Sequence, residues 1–523
     1  MQEGEFLAAS ARVAEMIAGY WEGLRGQGDG AGTSGVLSGV KPGDVLRALP
    51  THAPEVGEVL DEAGMTRVLD DVSRIIMPGI THWQHPSFFA FFPANASYPA
   101  MLGELLCAGL GVQGMLWATS PACTELETRV LDWLGQGLNL PARMLSTSEN
   151  GGGVLQGTAS EAAVAAMVAG RSRMLRAWKR VRSGRPHLTV YTSEQAHSSI
   201  VKAAMVTGLA DDADDRTHVR LVPVDGQFRM RCDELARMLR EDVARGHVPC
   251  FVGATVGTTG TTAIDDVRGV GDALRAACAG LRDELGAWPW LHVDGAHAGA
   301  ACVCPEYQGW LAGLERADSF CMNPHKWLLT NFDCDCFWTS DRAGLVASMS
   351  ISPAYLRNAQ SESGGVIDYR DWHVPLGRRF RALKLWLVMR HYGLAGLRAF
   401  VRQHIAWASE LEALVRADAR WRMVAPRTMN LVCMGVHPLP GEGLAQTNTR
   451  TRRVMEALNA SGRAYCTHTL LPAEGGADGV TGASEGVFAL RVSIGATQTR
   501  REDVLALWEM LREIERLQAG GGR

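Results

Sequence analysis

Lys326 stands between His325 and Trp327 in "SFCMNPHKWLLTNFDCDCFW", a largely apolar stretch. A lysine in such company usually lays its stem along apolar surface and keeps its ammonium in water. Held in a desolvated pocket it loses its proton more readily, and the neutral amine can form a Schiff base with a carbonyl. The segment alone leaves both readings open. In "WLHVDGAHAG" an apolar run delivers Asp294 at its exit, followed by small residues that let a flat ligand approach. Such an aspartate either caps the next helix or faces a protonated ring nitrogen. "GVLQGTASEAAVAAM" places Gly157, Thr158, Ala159 and Ser160 just before a strong helical pattern. Free N–H groups and the positive dipole end make such a helix start a phosphate cradle, although Ser160 would serve equally as a plain cap. "YTSEQAHSSIVKA" repeats the design, with His197 emerging where it could stack on a ring or simply be structural. Together these residues offer a phosphate cradle, a stacking histidine, an acid and an amine. That is the set pyridoxal phosphate (PLP) requires.

Residues so far apart in sequence need a scaffold that gathers them, and open α/β sheets do this at the carboxyl ends of their strands. Between about His85 and Lys384, β-like runs ("HLTVYTS", "VRLVPV", "CFVGATVG", "WLHVDGA") alternate with helical stretches such as "SEAAVAAMVAGRSRMLRAWKRV". The alternation predicts an α/β domain with a mainly parallel sheet. Ahead of it, Phe6, Val13, Met16, Ile17, Tyr20 and Leu24 recur at helical spacing, "GQGDGAGTSG" breaks the chain, and a second helix is expected from about Glu55 to Ile76. Beyond Leu385 a helical run, strand candidates "MNLVCMGV" and "FALRVSIG", the loop "PAEGGADGVTGASEG" and a closing helix predict a smaller α+β domain. The expected division is therefore an N-terminal helical arm over 1–84, a large domain over 85–384 and a small domain over 385–523.

A chain of 523 residues can bury a large core in two or three units. Lys+Arg 52 against Asp+Glu 56 leaves a formal charge of -4 without the basic footprint of a nucleic-acid binder. The first residues carry no basic segment leading into an apolar run, and no uncharged run approaches a membrane span, so a cytoplasmic protein is expected. The 12 cysteines are scattered without paired Cys-x-x-Cys units, which predicts buried thiols and no metal.

Seven segments in the same order, "FFAFFPANASYPAMLGELLC", "ATSPACTELETRVLDWLG", "GGVLQGTASEA", "EQAHSSIVKAA", "WLHVDGAHAG", "ADSFCMNPHKWLLTNFDC" and "DWHVPLGRRFRALKLW", resemble the aromatic-L-amino-acid decarboxylases, the group II PLP-dependent decarboxylases. The resemblance covers nearly the whole chain and implies a type I aminotransferase fold working as a homodimer. It implies that Lys326 holds the cofactor aldehyde until the substrate amine displaces it. Asp294 would keep the pyridine nitrogen protonated, His197 would stack on one ring face and Ala296 pack on the other. Thr158, Ala159, Ser160, Ser319, Asn323 and His325 match the phosphate-binding positions, with Thr255 and His292 supporting the ring.

Trp83, Phe88, Phe91, Phe92 and Pro93 match an aromatic wall for the substrate side chain, and Gln113 and Met115 a segment contributed by the partner subunit. Tyr355, in a polar segment over about 348–365 that reads as a closing loop, matches the acid that protonates the α-carbon. Gly377 matches a position where glycine accompanies bulky rings and serine smaller ones. The implied reaction is decarboxylation of an aromatic L-amino acid, tryptophan or 5-hydroxytryptophan ahead of DOPA, tyrosine and phenylalanine. An aromatic acetaldehyde synthase, a histidine decarboxylase and a PLP-binding protein without turnover are the rivals. The sequence departs from the family pattern at Gly295 and His297, where alanine and tyrosine are usual, in "PANAS", and at Met115, where phenylalanine is frequent.

Overall fold

Seven runs form one sheet: β1 (Gly152–Gln156), β2 (Leu188–Ser193), β3 (Val219–Val222), β4 (Val248–Thr255), β5 (Trp290–Asp294), β6 (Ser319–Met322) and β7 (Asp335–Thr339). Their spatial order is β1-β7-β6-β5-β4-β2-β3. The run from β3 to β6 pairs in parallel, and β7 runs against both β6 and β1. This computed structural model describes residues 2–26, 35–55, 57, 62–351, 366–472 and 486–520.

Strands buried on both faces read as continuous apolar runs, and β4 and β5 are buried at every residue. Successive side chains divide between two cores, as the period of 2 requires. Phe251, Trp290, Cys321 and Phe337 pack with residues of the helix Ala159–Val181, whereas Val252, Leu291, Phe320 and Cys336 join Val130, Leu131, Val270 and Leu274 from helices Pro121–Gly137 and Val267–Ala277. Asp294 shares its face with Trp290, the face that carries the start of the helix Ala159–Val181. The helix start and the strand-end acid therefore meet on one side of the sheet.

The C-terminal part holds β8 (Trp421–Met423), β9 (Leu431–Val436), β10 (Thr467–Leu471) and β11 (Val487–Ser493), antiparallel in the order β10-β11-β9-β8. Helices Leu444–Ala460 and Arg501–Gly520 close its core with Val454, Leu458, Leu507 and Leu511. The division expected between residues 384 and 385 falls within one helix, Ala382–Ala417, whose backbone leaves helical geometry at Gly393 (φ 59, ψ 174).

In the N-terminal arm a helix spans Glu3–Gly23, and Arg25 ties the arm to the far end of the chain through Gln498 (2.7 and 2.8 Å). The second expected helix is described as Glu62–Asp71 continuing into a wider turn, Val72–Ile76. Tyr355 and most of the Gly-rich insert lie outside the described residues. Among the described residues no helix is long and apolar enough to cross a membrane.

Candidate active site

β6 ends at Met322, and Asn323 leads into the single turn Pro324–Trp327 that carries Lys326. Both neighbours of the lysine are pinned. The Cys334 N–H donates to His325 Nδ1 (2.9 Å), Asn95 N–H donates to the His325 carbonyl (2.7 Å), and Trp327 Nε1 donates to His404 Nδ1 (3.0 Å). The lysine side chain is thereby directed into the protein, where burial pushes its ammonium below the usual range and Asp294 partly restores it. This is the desolvated amine of the second reading of the sequence.

Asp294 closes β5, and its Oδ1 accepts the Ala296 N–H (2.9 Å). Behind it, Trp290 Nε1 donates to Ser319 Oγ (2.8 Å), and the same hydroxyl is hydrogen-bonded to His292 Nδ1 (2.8 Å). Burial pushes His292 down to about 4, so the ring stays neutral.

An inner cavity of about 190 Å³ collects most of the predicted residues: Thr158, Ala159, Ser160, His197, Thr255, Asp294, Ala296, Asn323, His325 and Lys326, with Phe92 at its edge. The helix at Ala159 receives no side-chain hydrogen bond from Thr158, and its first residues, Ala159 and Ser160, line this space. The Asn323 amide oxygen is buried and meets no partner among the described residues. His197 Nδ1 accepts the Ser199 N–H (3.1 Å), which leaves Nε2 as the donor of the neutral ring, and burial lowers the His197 pKa. Ser319 and His292 do not line the cavity. Ser319 is fully buried with its hydroxyl engaged by Trp290 and His292, a support of the β5 end rather than a wall of the cradle.

Outside lies a cleft of about 1010 Å³ that shares Phe92, His197, His325 and Lys326 with the inner cavity and adds Trp83, Phe91 and Pro93. Trp83 and Phe91 stack at 5.6 Å and 15°. Phe88 is buried behind them, 4.5 Å from Trp83, and supports the wall rather than lining it. Gln113 and Gly377 lie together elsewhere on the chain: Gln113 Oε1 accepts the Arg378 N–H at 3.3 Å and stands 3.5 Å from where a Cβ on Gly377 would be. Met115 is close by in sequence, its carbonyl accepting the Arg370 N–H, and none of the three lines either cavity.

The cleft also contains residues that pattern reading passed over: Thr259, Phe332, Tyr465 and Arg491. Arg491 is buried, donates to the Thr259 carbonyl (2.7 Å) and to Thr467 Oγ1 (3.0 Å), and has no carboxylate partner among the described residues. A charged residue inside the β-like run "FALRVSIG" was the available signal, since strand interiors rarely bury an unpaired guanidinium. Both departures of "VDGAHAG" have a local cause. A Cβ on Gly295 would stand 2.6 Å from Phe320 Cε2, so the phenyl ring occupies the space of the usual alanine methyl. His297 is stacked between Phe92 and Trp327 and holds Asn430 Oδ1 through Nε2 (2.9 Å).

A helix start with a neighbouring imidazole suits a phosphate monoester, a strand-end carboxylate suits a protonated pyridine nitrogen, and a desolvated lysine suits an aldehyde. The fold and donor set define a PLP-dependent enzyme. Comparison with known proteins agrees: the pyridoxal-dependent decarboxylase conserved domain matches residues 42–437. The chain is 42% identical to phenylacetaldehyde synthase of Arabidopsis thaliana, covering 91% of this chain and 90% of that one, and 39% identical to tryptophan decarboxylase 2 of Oryza sativa subsp. japonica over 96% and 93%. Its fold superposes on Catharanthus roseus tryptophan decarboxylase in complex with L-tryptophan with a TM-score of 0.83, at 34% identity and 98% and 99% coverage. The chain belongs to the pyridoxal-dependent decarboxylases, and its cofactor is PLP.

Proposed function

We propose that the protein decarboxylates an aromatic L-amino acid to the arylalkylamine, taking tryptophan or 5-hydroxytryptophan first and DOPA next. The observation that carries the reading is the aromatic wall of Trp83, Phe91 and Phe92, which opens directly onto Lys326. Flat aromatic side chains bury well against such a wall. Bound PLP supplies an electron-accepting ring. Lys326 would hold the cofactor through its buried amine. Asp294 would keep a proton on the ring nitrogen, His197 would cover one ring face, and the Ala159 helix start with His325 and Asn323 would hold the phosphate. Arg491 contributes a buried positive charge to the cleft in which the substrate carboxylate must be placed. Tyr355 delivers the proton that replaces carbon dioxide on the α-carbon. Gln113, Met115 and Gly377, grouped away from Lys326 in a single chain, line the pocket of a second copy in a homodimer acting in the cytoplasm.

The identity to phenylacetaldehyde synthase favours a second reading, in which the amino acid, oxygen and water give aldehyde, carbon dioxide, ammonia and hydrogen peroxide. His197 and Tyr355, one or the other of which is commonly replaced in such enzymes, are both present here, which supports the amine. Purified protein offered tryptophan, 5-hydroxytryptophan, DOPA, tyrosine, phenylalanine and histidine, with amine, aldehyde, ammonia and peroxide measured, decides between them. Amine from the indoles without peroxide is expected. Turnover of histidine alone, or stoichiometric peroxide, would overturn the proposal.

A further inference from the structure

At the opposite end of β5 from Asp294 a second cleft, about 410 Å³, is lined by Arg143, Arg173, Arg180, Arg275, Arg282 and Arg316, with Asp318 the only carboxylate among its lining residues. This density of cations stands out in a chain whose formal charge is -4. Three of the six are neutralised on the spot. Arg173 bridges Asp318 (2.9 Å) and Asp341 (2.8 Å), Arg316 pairs with Asp272, and Arg282 with Asp283.

The other three have no carboxylate partner among the described residues. Arg143 donates to the Ala317 carbonyl, Arg275 lies 5.8 Å over the Trp288 ring, and Arg180 meets no partner there. The Arg143 guanidinium is held below its usual range chiefly by burial, with Asp318 and Glu315 pulling it up and Arg275 and Arg173 pushing it down. Arg180 and Arg275 are exposed on the rim of this cleft, open to an anion, and guanidinium groups match phosphate oxygens two at a time.

We propose that this cleft binds a small polyphosphate anion, either an inorganic di- or triphosphate or the phosphate chain of a nucleotide. Arg143, Arg180 and Arg275 supply charge that no salt bridge holds among the described residues, and the bridged Arg173 fixes the floor. The helix Ala159–Val181 joins this site to the cofactor cradle: its first residue lines the inner cavity, and Arg173 and Arg180 project from its second half. The anion site is thus separate from the PLP phosphate site, and occupancy of one does not require vacancy of the other.

Isothermal titration of the full-length, PLP-loaded protein with sodium tripolyphosphate in 0.1 M NaCl tests this, with magnesium-free ATP as a second arm. Saturable binding of one equivalent per chain is expected, weakened about tenfold or more in Arg180→Glu/Arg275→Glu, since each reversal replaces an attraction with a repulsion. Arg453→Glu, outside the cleft, should bind as wild type. Equal affinity for the two anions identifies the phosphate chain as the recognised part, and tighter ATP binding adds a contact to the base. Retained turnover in the double variant certifies its fold. Heat that fails to saturate, a signal reproduced by NaCl of equal ionic strength, or unchanged affinity in the folded double variant would overturn the proposal.

Discussion

The His297 imidazole lies flat on the Phe92 ring, centroids 3.8 Å apart and planes within 11°. Phe92 walls both cavities, so the stack fixes the plane of a ring that the proposed aromatic substrate would meet. His297→Leu should loosen that wall. An aromatic pair contributes about 0.5–1.5 kcal/mol beyond its buried area, so KM for aromatic substrates should rise roughly 2- to 10-fold with a smaller change in kcat. Steady-state kinetics with tryptophan check this, and an unchanged KM would mean that Phe92 keeps its plane without the imidazole.

Lys326→Ala removes the amine, and Asp294→Asn the charge proposed to face the ring nitrogen. The first should abolish borohydride-fixable cofactor and nearly all turnover. The second should retain the fixable linkage but turn over far more slowly. A fixable linkage in Lys326→Ala would require another lysine at the site.

His297, His325, His373 and His404 are buried and each pushed down to about 3 by that burial. In the unfolded chain they titrate near about 6.5. Between these values the unfolded state binds more protons than the folded one, so stability is complete above about 6.5 and is lost as pH falls below it. Each histidine costs about 1.4 kcal/mol per pH unit in that window, and four together about 5 kcal/mol. Thermal unfolding at pH 7.5 and 5.5 should show a clear loss at the lower pH; equal midpoints would contradict the neutral, buried state of these rings.

Tyr355→Phe withdraws the proposed proton donor from the α-carbon. Oxygen then competes for the electron-rich carbon, and the product should move from amine toward aldehyde with equimolar ammonia and hydrogen peroxide. Product analysis under air and under nitrogen reads the shift. Amine alone, formed at the wild-type rate, would assign the proton to another group.

Gly377→Ser adds a hydroxymethyl beside Gln113, where the nearest atom to a new Cβ is Oε1 at 3.5 Å. A change of this size in a fitted pocket should lower kcat/KM for tryptophan relative to tyrosine roughly 10- to 200-fold. Comparing the two substrates on both proteins checks it; an unchanged ratio would show that this position does not gate the ring.

The central strands were readable because β2, β4 and β5 are short apolar runs bounded by turns, and Lys326, Asp294, His197 and the Ala159 helix start were readable because each sits at a strand exit. β1 was not: "GGVLQ" looks like a loop, yet Gly153 belongs there because a Cβ would press to 2.9 Å on Trp338, so the ring of β7 occupies the place of a side chain. Arg491 and Tyr465 escaped because their contribution comes from the C-terminal sheet region, nearly 400 residues beyond Trp83, and no periodicity encodes that approach. Ser319 misled because a serine at a strand start beside a phosphate site has two uses, and only the hydroxyl's bonds to Trp290 and His292 separate them.

The wall of the cleft is closed by the last part of the chain. Asn95 donates to the Gly495 carbonyl (2.8 Å), Phe89 N–H to Tyr465, and Ser493 N–H back to Phe89. During synthesis the lysine, the acid and the phosphate cradle are all made well before these partners. A nascent chain therefore holds the buried lysine's segment without these wall contacts until residues 465–495 have been made.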